Sequence, residues 1–166
     1  SKLKLASVSI GVTKESPFQK MLSNYATIKH FTISEKASKE EVAKLINDLK
    51  PYNLTLVGMH GGSRSPRKKF GITKQMINVL NNITTLHPTI VSVFANPYSL
   101  GVYPEIGKAD GVIMAYENAL LSQEYTAQLI FGGIDSKGKL PITASDQFKA
   151  GDGIDTKKNR LKYSIP

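Results

Sequence analysis

The chain is 166 residues long and 40% hydrophobic, enough for one domain with a sizeable core. No apolar run approaches the roughly 18–20 residues of a membrane helix, and the lack of cysteine excludes disulfides and cysteine metal sites. The formal charge is +9, but the basic residues are spread and poorly interleaved with aromatics, which speaks for solvated loops or an acidic neighbour rather than for nucleic acid.

Residues 3–10 alternate loosely and read as a first strand. Ser16-Pro17 starts a helix, a cap followed by proline at the first helical position, with Phe18, Met21, Leu22 and Tyr25 along one face. Residues 27–33 are β-branched but interrupted by Lys29 and His30, as suits an edge strand. Ser38-Lys39-Glu40-Glu41 is a capping box, and Val42, Leu45, Ile46 and Leu49 line the helix it opens. The continuous apolar run 54–59 predicts a central strand. Thr73 caps a third helix whose Met76, Val79, Leu80, Ile83 and Leu86 face inward, and Pro88 closes it.

Residues 89–94 and 111–115 predict two more buried strands, the second covered on both faces. Ser122 is expected to cap a last helix with Glu124 in its first turn, and Gly132-Gly133 to stop it. A turn at 136–138 then leads to 140–143, read as a short extra edge strand. Five strands separated by helices require right-handed crossovers, hence an α/β fold: a three-layer α/β/α sandwich with a mostly parallel, flavodoxin-like sheet of order 2-1-3-4-5. Residues 1–144 form this domain; 145–166, polar, Gly-rich and basic, form an exit linker or a tail packed on it.

In such a sheet the loops after the strands share one rim, where ligands bind. The loop 60–69 is the richest, with His60, Ser63 and Arg64 as donors and Gly61-Gly62 allowing close backbone approach. Asn96 and Tyr98 follow the fourth strand, Tyr116 and Glu117 the fifth, completing a polar rim suited to sugar hydroxyls or a partner surface. Catalytic templates fail: no GxSxG, Walker loop, GxGxxG or HExxH occurs, and Ser65-Pro66-Arg67-Lys68 matches S-x-x-K without its helix or companion motifs. His30, His60 and His87 fall on different elements, so neither metal nor cofactor is expected.

The segment from Asp110 onward carries a resemblance. Ala127-Gln128-Leu129-Ile130-Phe131-Gly132 and Gly138-Lys139-Leu140-Pro141-Ile142-Thr143 are similar to the AxxIFG run and GKLPV/IT exit of the C-terminal α/β sandwich domain of glycoside hydrolase family 3. The likeness extends back through Phe94-Ala95-Asn96-Pro97-Tyr98 and residues 60–73. Forward, Arg160-Leu161-Lys162-Tyr163 resembles the linker of bacterial members that continue into a serine β-lactamase-like domain. That family's retaining scheme uses two groups roughly 5 Å apart. The resemblance implies a nucleophilic Asp in a preceding barrel and, in the N-acetylglucosaminidase branch that this chain looks like, a barrel-loop His as acid/base. In the β-glucosidase branch the acid/base is a Glu of this domain, but Glu105, Glu117 and Glu124 match no motif of it. No catalytic residue is therefore assigned.

The expectation is a non-catalytic domain of a β-N-acetylhexosaminidase of carbohydrate metabolism, excised from its parent, since Ser1-Lys2-Leu3 opens without Met or signal peptide. It would border a sugar site made mainly by the N-terminal barrel and be inactive alone. Partners would be that barrel, a downstream β-lactamase-like domain and the carbohydrate, with the periplasm or secretion favoured over the cytoplasm. The alternative is a free-standing flavodoxin-like binding or regulatory module, with an anion at the helix start after Gly11-Val12-Thr13-Lys14-Glu15.

Overall fold

Short apolar runs separated by amphipathic stretches build a parallel sheet, because each crossover returns the chain to the end where the previous strand began. The computed structural model describes residues 2–159. Its strands are β1 (Leu5–Ile10), β2 (Ile28–Ile33), β3 (Leu54–His60), β4 (Thr89–Phe94) and β5 (Gly111–Met114). They pair in the expected order β2-β1-β3-β4-β5, and all four neighbouring pairs are parallel.

The helices are α1 (Pro17–Leu22), α2 (Lys39–Leu49), α3 (Lys74–Leu86), α4 (Ser99–Val102) and α5 (Leu120–Ile130). Three starts follow their local signals. Ser16 and Ser38 close capping boxes with Gln19 and Glu41, and Thr73 Oγ1 accepts from the Met76 N–H at 3.2 Å. Helices α2 and α3 cover the larger core, built on Ala6, Val8, Ile10, Val57, Met59, Val91 and Val93. Helices α1 and α5 pack together over a smaller one of Phe18, Leu22, Leu56, Phe94 and Ala127. The face of β1 towards α1 is polar: Ser7 and Ser9 are fully buried, bonded to Gln19 and Ser16.

Four expectations need correction. Residues 140–143 form no strand: the Leu140 N–H goes to Asp152 O and its carbonyl accepts from Gly151 N, so the backbone pairs with its own tail. Strand β5 is accordingly an edge strand, half-buried throughout rather than covered on both faces. Ser122 is not a cap. Helix α5 starts earlier, with extended Ala119 at the N-cap and its carbonyl accepting from Gln123 N, which puts Glu124 beyond the first turn. Helix α1 ends at Leu22, so Tyr25 lies past it and stacks on Phe131 at 5.2 Å.

Short elements invisible to the periodicity are the one-turn α4, a 3-10 turn after it at Pro104–Lys108, and a kinked segment at Pro66–Gly71 whose Lys68, Lys69 and Phe70 are non-helical. Within 145–159, half-buried Phe148 packs on the larger core and Ser136 bridges antiparallel to Thr156. The linker-like run 160–163, with the basic Arg160 and Lys162, lies outside the described residues.

Candidate functional site at the carboxyl ends of the strands

The rim is built by the loops that leave β3, β4 and β5. His60, the last residue of β3, is 3% exposed and stacks on Phe94 with ring centroids 5.0 Å apart. Its Nδ1 is 3.0 Å from Asn118 Oδ1 and its Nε2 is 3.2 Å from Ser9 Oγ. Burial pushes the imidazole below its ordinary value of 6.5, with the Asn118 bond opposing. His60 is thus a neutral, fully partnered interior group.

Ser63 shapes its own loop, its hydroxyl oxygen accepting from the Ser65 N–H at 3.1 Å. Beyond it, Lys69 and Phe70 adopt left-handed backbone at φ 49° and 58°, which buries Phe70 beneath the rim and leaves Arg67, Lys68 and Lys69 exposed. Phe70 faces Tyr98 at 6.5 Å, joining this loop to the one after β4. There Asn96 Oδ1 accepts from the Tyr98 N–H at 3.0 Å, which closes a turn, and Tyr98 stays 52% exposed. After β5, Tyr116 takes φ 64° and is 41% exposed, and Glu117 Oε1 lies 4.0 Å from Arg64 Nη2. That pair is solvent-exposed and worth at most about 1 kcal/mol.

The structure therefore brings Arg64 and Glu117 together, sets Tyr98 beside Phe70 with Asn96 bonded to its backbone, and withdraws His60 and Ser63 into structural bonds. Asn118, next to Tyr116 and Glu117 at the strand end, takes a bridging role that the sequence pattern does not indicate. Its partners His60, Gly61 and Gln123 converge only in the fold. Glu105 stands in the turn entering β5 and Glu124 inside α5, so neither shares the loop of Glu117. Among the described residues no group of three or more His, Asp or Glu is placed to hold a metal, and no helix is long and apolar enough to cross a membrane.

A second imidazole lies on β2, away from the rim. His30 bonds Ser7 Oγ at 2.6 Å and Ser23 Oγ at 2.7 Å, with Glu15 at 3.8 Å. Burial lowers its pKa most, Glu15 opposes and Lys29 adds to the lowering. Both imidazoles thus bind protons less well folded than unfolded. Below about pH 6.5 the unfolded chain takes up more protons, so stability falls as pH falls towards the depressed folded values. The unfolding free energy from urea titrations should be level between pH 7 and 8 and decline below 6.5, at up to about 1.4 kcal/mol per pH unit from His60. A profile that stays level down to pH 5.5 would contradict neutral burial of both rings.

No protein-family model and no curated protein matches the sequence. Solved structures do match the fold. A fungal multi-domain family 3 β-N-acetylglucosaminidase, which also has a GCN5-related glucosamine N-acetyltransferase region, superposes with TM-score 0.61 at 18% identity, over 91% of this chain and 16% of that one. The family 3 β-N-acetylglucosaminidase of Paenibacillus sp. str. FPU-7 gives 0.58 at 17% identity, over 78% and 25%. The β-glucosidase of Listeria innocua gives 0.61 at 13% identity, over 83% and 22%. The chain thus spans between about a sixth and a quarter of these proteins' length. This chain has a fold found within enzymes of glycoside hydrolase family 3.

Proposed function

We propose that this chain is a non-catalytic C-terminal domain of a family 3 glycoside hydrolase, in a parent that cleaves β-linked N-acetylhexosamine. The observation that carries the reading is the asymmetry of coverage: nearly the whole fold matches, yet it is a minor part of each enzyme. The rim fits the role. Its exposed Tyr98, Tyr116, Arg64 and Glu117 offer stacking faces and hydrogen-bonding groups for a sugar held mainly by a neighbouring barrel. Glu117 is the one candidate carboxylate on these loops, and its partner is Arg64 rather than a second acid.

The flavodoxin-like alternative draws no support from the loop after β1. The Ser16 hydroxyl there is already engaged by the Gln19 N–H and Ser9, and Glu15 stands near His30. The isolated chain is expected to fold and to show no turnover of an aryl N-acetyl-β-glucosaminide above the uncatalysed rate. Substantial hydrolysis by this chain alone would refute the supporting role.

A further inference from the structure

Two loops of the rim are tied at one residue. Asn118 Oδ1 faces His60 Nδ1 and accepts from Gln123 Nε2, both at 3.0 Å, while Asn118 Nδ2 donates to the Gly61 carbonyl at 3.5 Å. Gly61 begins the β3–α3 loop, and Asn118 lies in the β5–α5 loop. Inward, the bonds continue from His60 to Ser9 and from Ser9 to Ser16, the cap of α1. Gln123 Oε1 in turn accepts from the Phe18 N–H at 3.3 Å.

The proton order along this chain has one consistent direction. Ser16 Oγ accepts from the Gln19 N–H, which leaves its own proton for Ser9 Oγ, 2.8 Å away. Ser9 then donates to His60 Nε2, and the ring carries its proton on Nδ1, facing the Asn118 oxygen. Reversal would leave the Ser16 proton buried without this acceptor. The β5–α5 loop needs such an anchor, because Tyr116 holds a left-handed backbone at φ 64° that a bulky residue disfavours.

We propose that His60, as its Nδ1-protonated neutral tautomer, is a positioning residue that holds Asn118 and thereby sets the β3–α3 and β5–α5 loops, with Arg64 and Glu117, relative to each other. Its importance for sugar binding rests on the reading above; the coupling itself does not. The groups that bond or stack on His60 are uncharged: Ser9 from β1, Phe94 from β4 and Asn118 from the β5–α5 loop. The charged groups of the two loops, Arg64, Arg67, Lys68, Lys69 and Glu117, are all exposed, and Arg64 and Glu117 face each other. Protonation at Nε2 turns the acceptor of the Ser9 proton into a donor and sets two donors against each other, so acid strains the tie from its inner end.

Two conservative variants separate positioning from packing. In His60→Asn the amide nitrogen stands near the place of Nδ1 and still donates to Asn118. In His60→Gln the longer amide reaches the place of Nε2 and serves Ser9 instead. Both remove the ring from Phe94. By NMR on the full chain, wild type should show the Nδ1–H tautomer. His60→Asn should leave the amide signals of residues 61–65 and 116–119 close to wild type, and His60→Gln should shift both sets. Equal shifts in the two variants, or an Nε2–H tautomer in wild type, would overturn the proposal. Should a variant not fold, the wild-type titration decides: both sets should move with the His60 midpoint, and separate midpoints refute the coupling. None of these readouts uses substrate, so the hydrolase reading can fail on turnover while this one stands, and the reverse.

Discussion

Phe94→Ala is expected to lower stability by about 3–5 kcal/mol, a large share of the roughly 5–15 kcal/mol that holds a domain together. Phe94 is fully buried, with its ring edge-on to Phe18 at 5.5 Å and stacked on His60 at 5.0 Å. The core it serves is the smaller of the two, with Leu22, Leu56 and Ala127 as its other buried members. Removal of one of its two buried aromatics leaves a void that the neighbours fill poorly. Leu56 is fixed by the sheet, and α1 is a six-residue helix pinned by its capping box. The variant should also blur the His60–Asn118 tie, because the imidazole loses the face that holds its plane. Urea denaturation of Phe94→Ala beside Phe94→Leu provides the measurement. The leucine variant should fall between wild type and alanine, and a loss below about 1 kcal/mol for alanine would mean that this core is far more plastic than its packing indicates.

Gly71→Ala should be the second severe change, for a reason of backbone rather than volume. Gly71 has φ 78° and ends a run of three left-handed residues with Lys69 and Phe70. A Cβ at this position would collide with the backbone nitrogens of Gly62 and Ser63, which cannot swing aside as a side chain would. The left-handed backbone alone costs an alanine about 1–2 kcal/mol, and the collision adds to it by forcing the β3–α3 loop to rebuild. The expected result is a destabilisation of at least about 2 kcal/mol, with large shifts of the amide signals of residues 61–65. Wild-type stability and an unshifted loop would show that this turn yields more easily than its close backbone contacts imply.

The two glycines of Gly61-Gly62 suggest a loop opened for ligand, and the structure gives part of that space to the chain itself. A Cβ on Gly61 would meet Phe70 O and Ala95, whereas Gly62 faces open space. The same division runs through the candidate residues. Arg64, Tyr98, Tyr116 and Glu117 were legible as rim groups because a strand end followed by polar residues is a local pattern, and all four are exposed there. His60 and Ser63 belong to that pattern but point their bonding capacity inward or along the loop. Nothing in the order of residues reveals the role of His60, since its partners lie 51 and 58 positions away.

Local chemistry within three or four residues settled the starts of α1, α2 and α3: a hydroxyl at Ser16, Ser38 or Thr73 reaches the N–H three positions on whatever the rest of the chain does. Apolar runs of five to seven residues likewise marked β3 and β4, and the alternation of strands with helices entailed a parallel sheet and, with the polar β2 at its edge, the order β2-β1-β3-β4-β5. Only the tertiary structure decided that β5 is a half-covered edge, that Leu140 pairs with Asp152 and Gly151 instead of joining the sheet, and that Asn118 rather than Ser122 organises the approach to α5. Each of these depends on where a backbone or side-chain group finds its partner across many intervening residues. A sequence pattern states that such a group must be satisfied; the packed fold alone states by which partner.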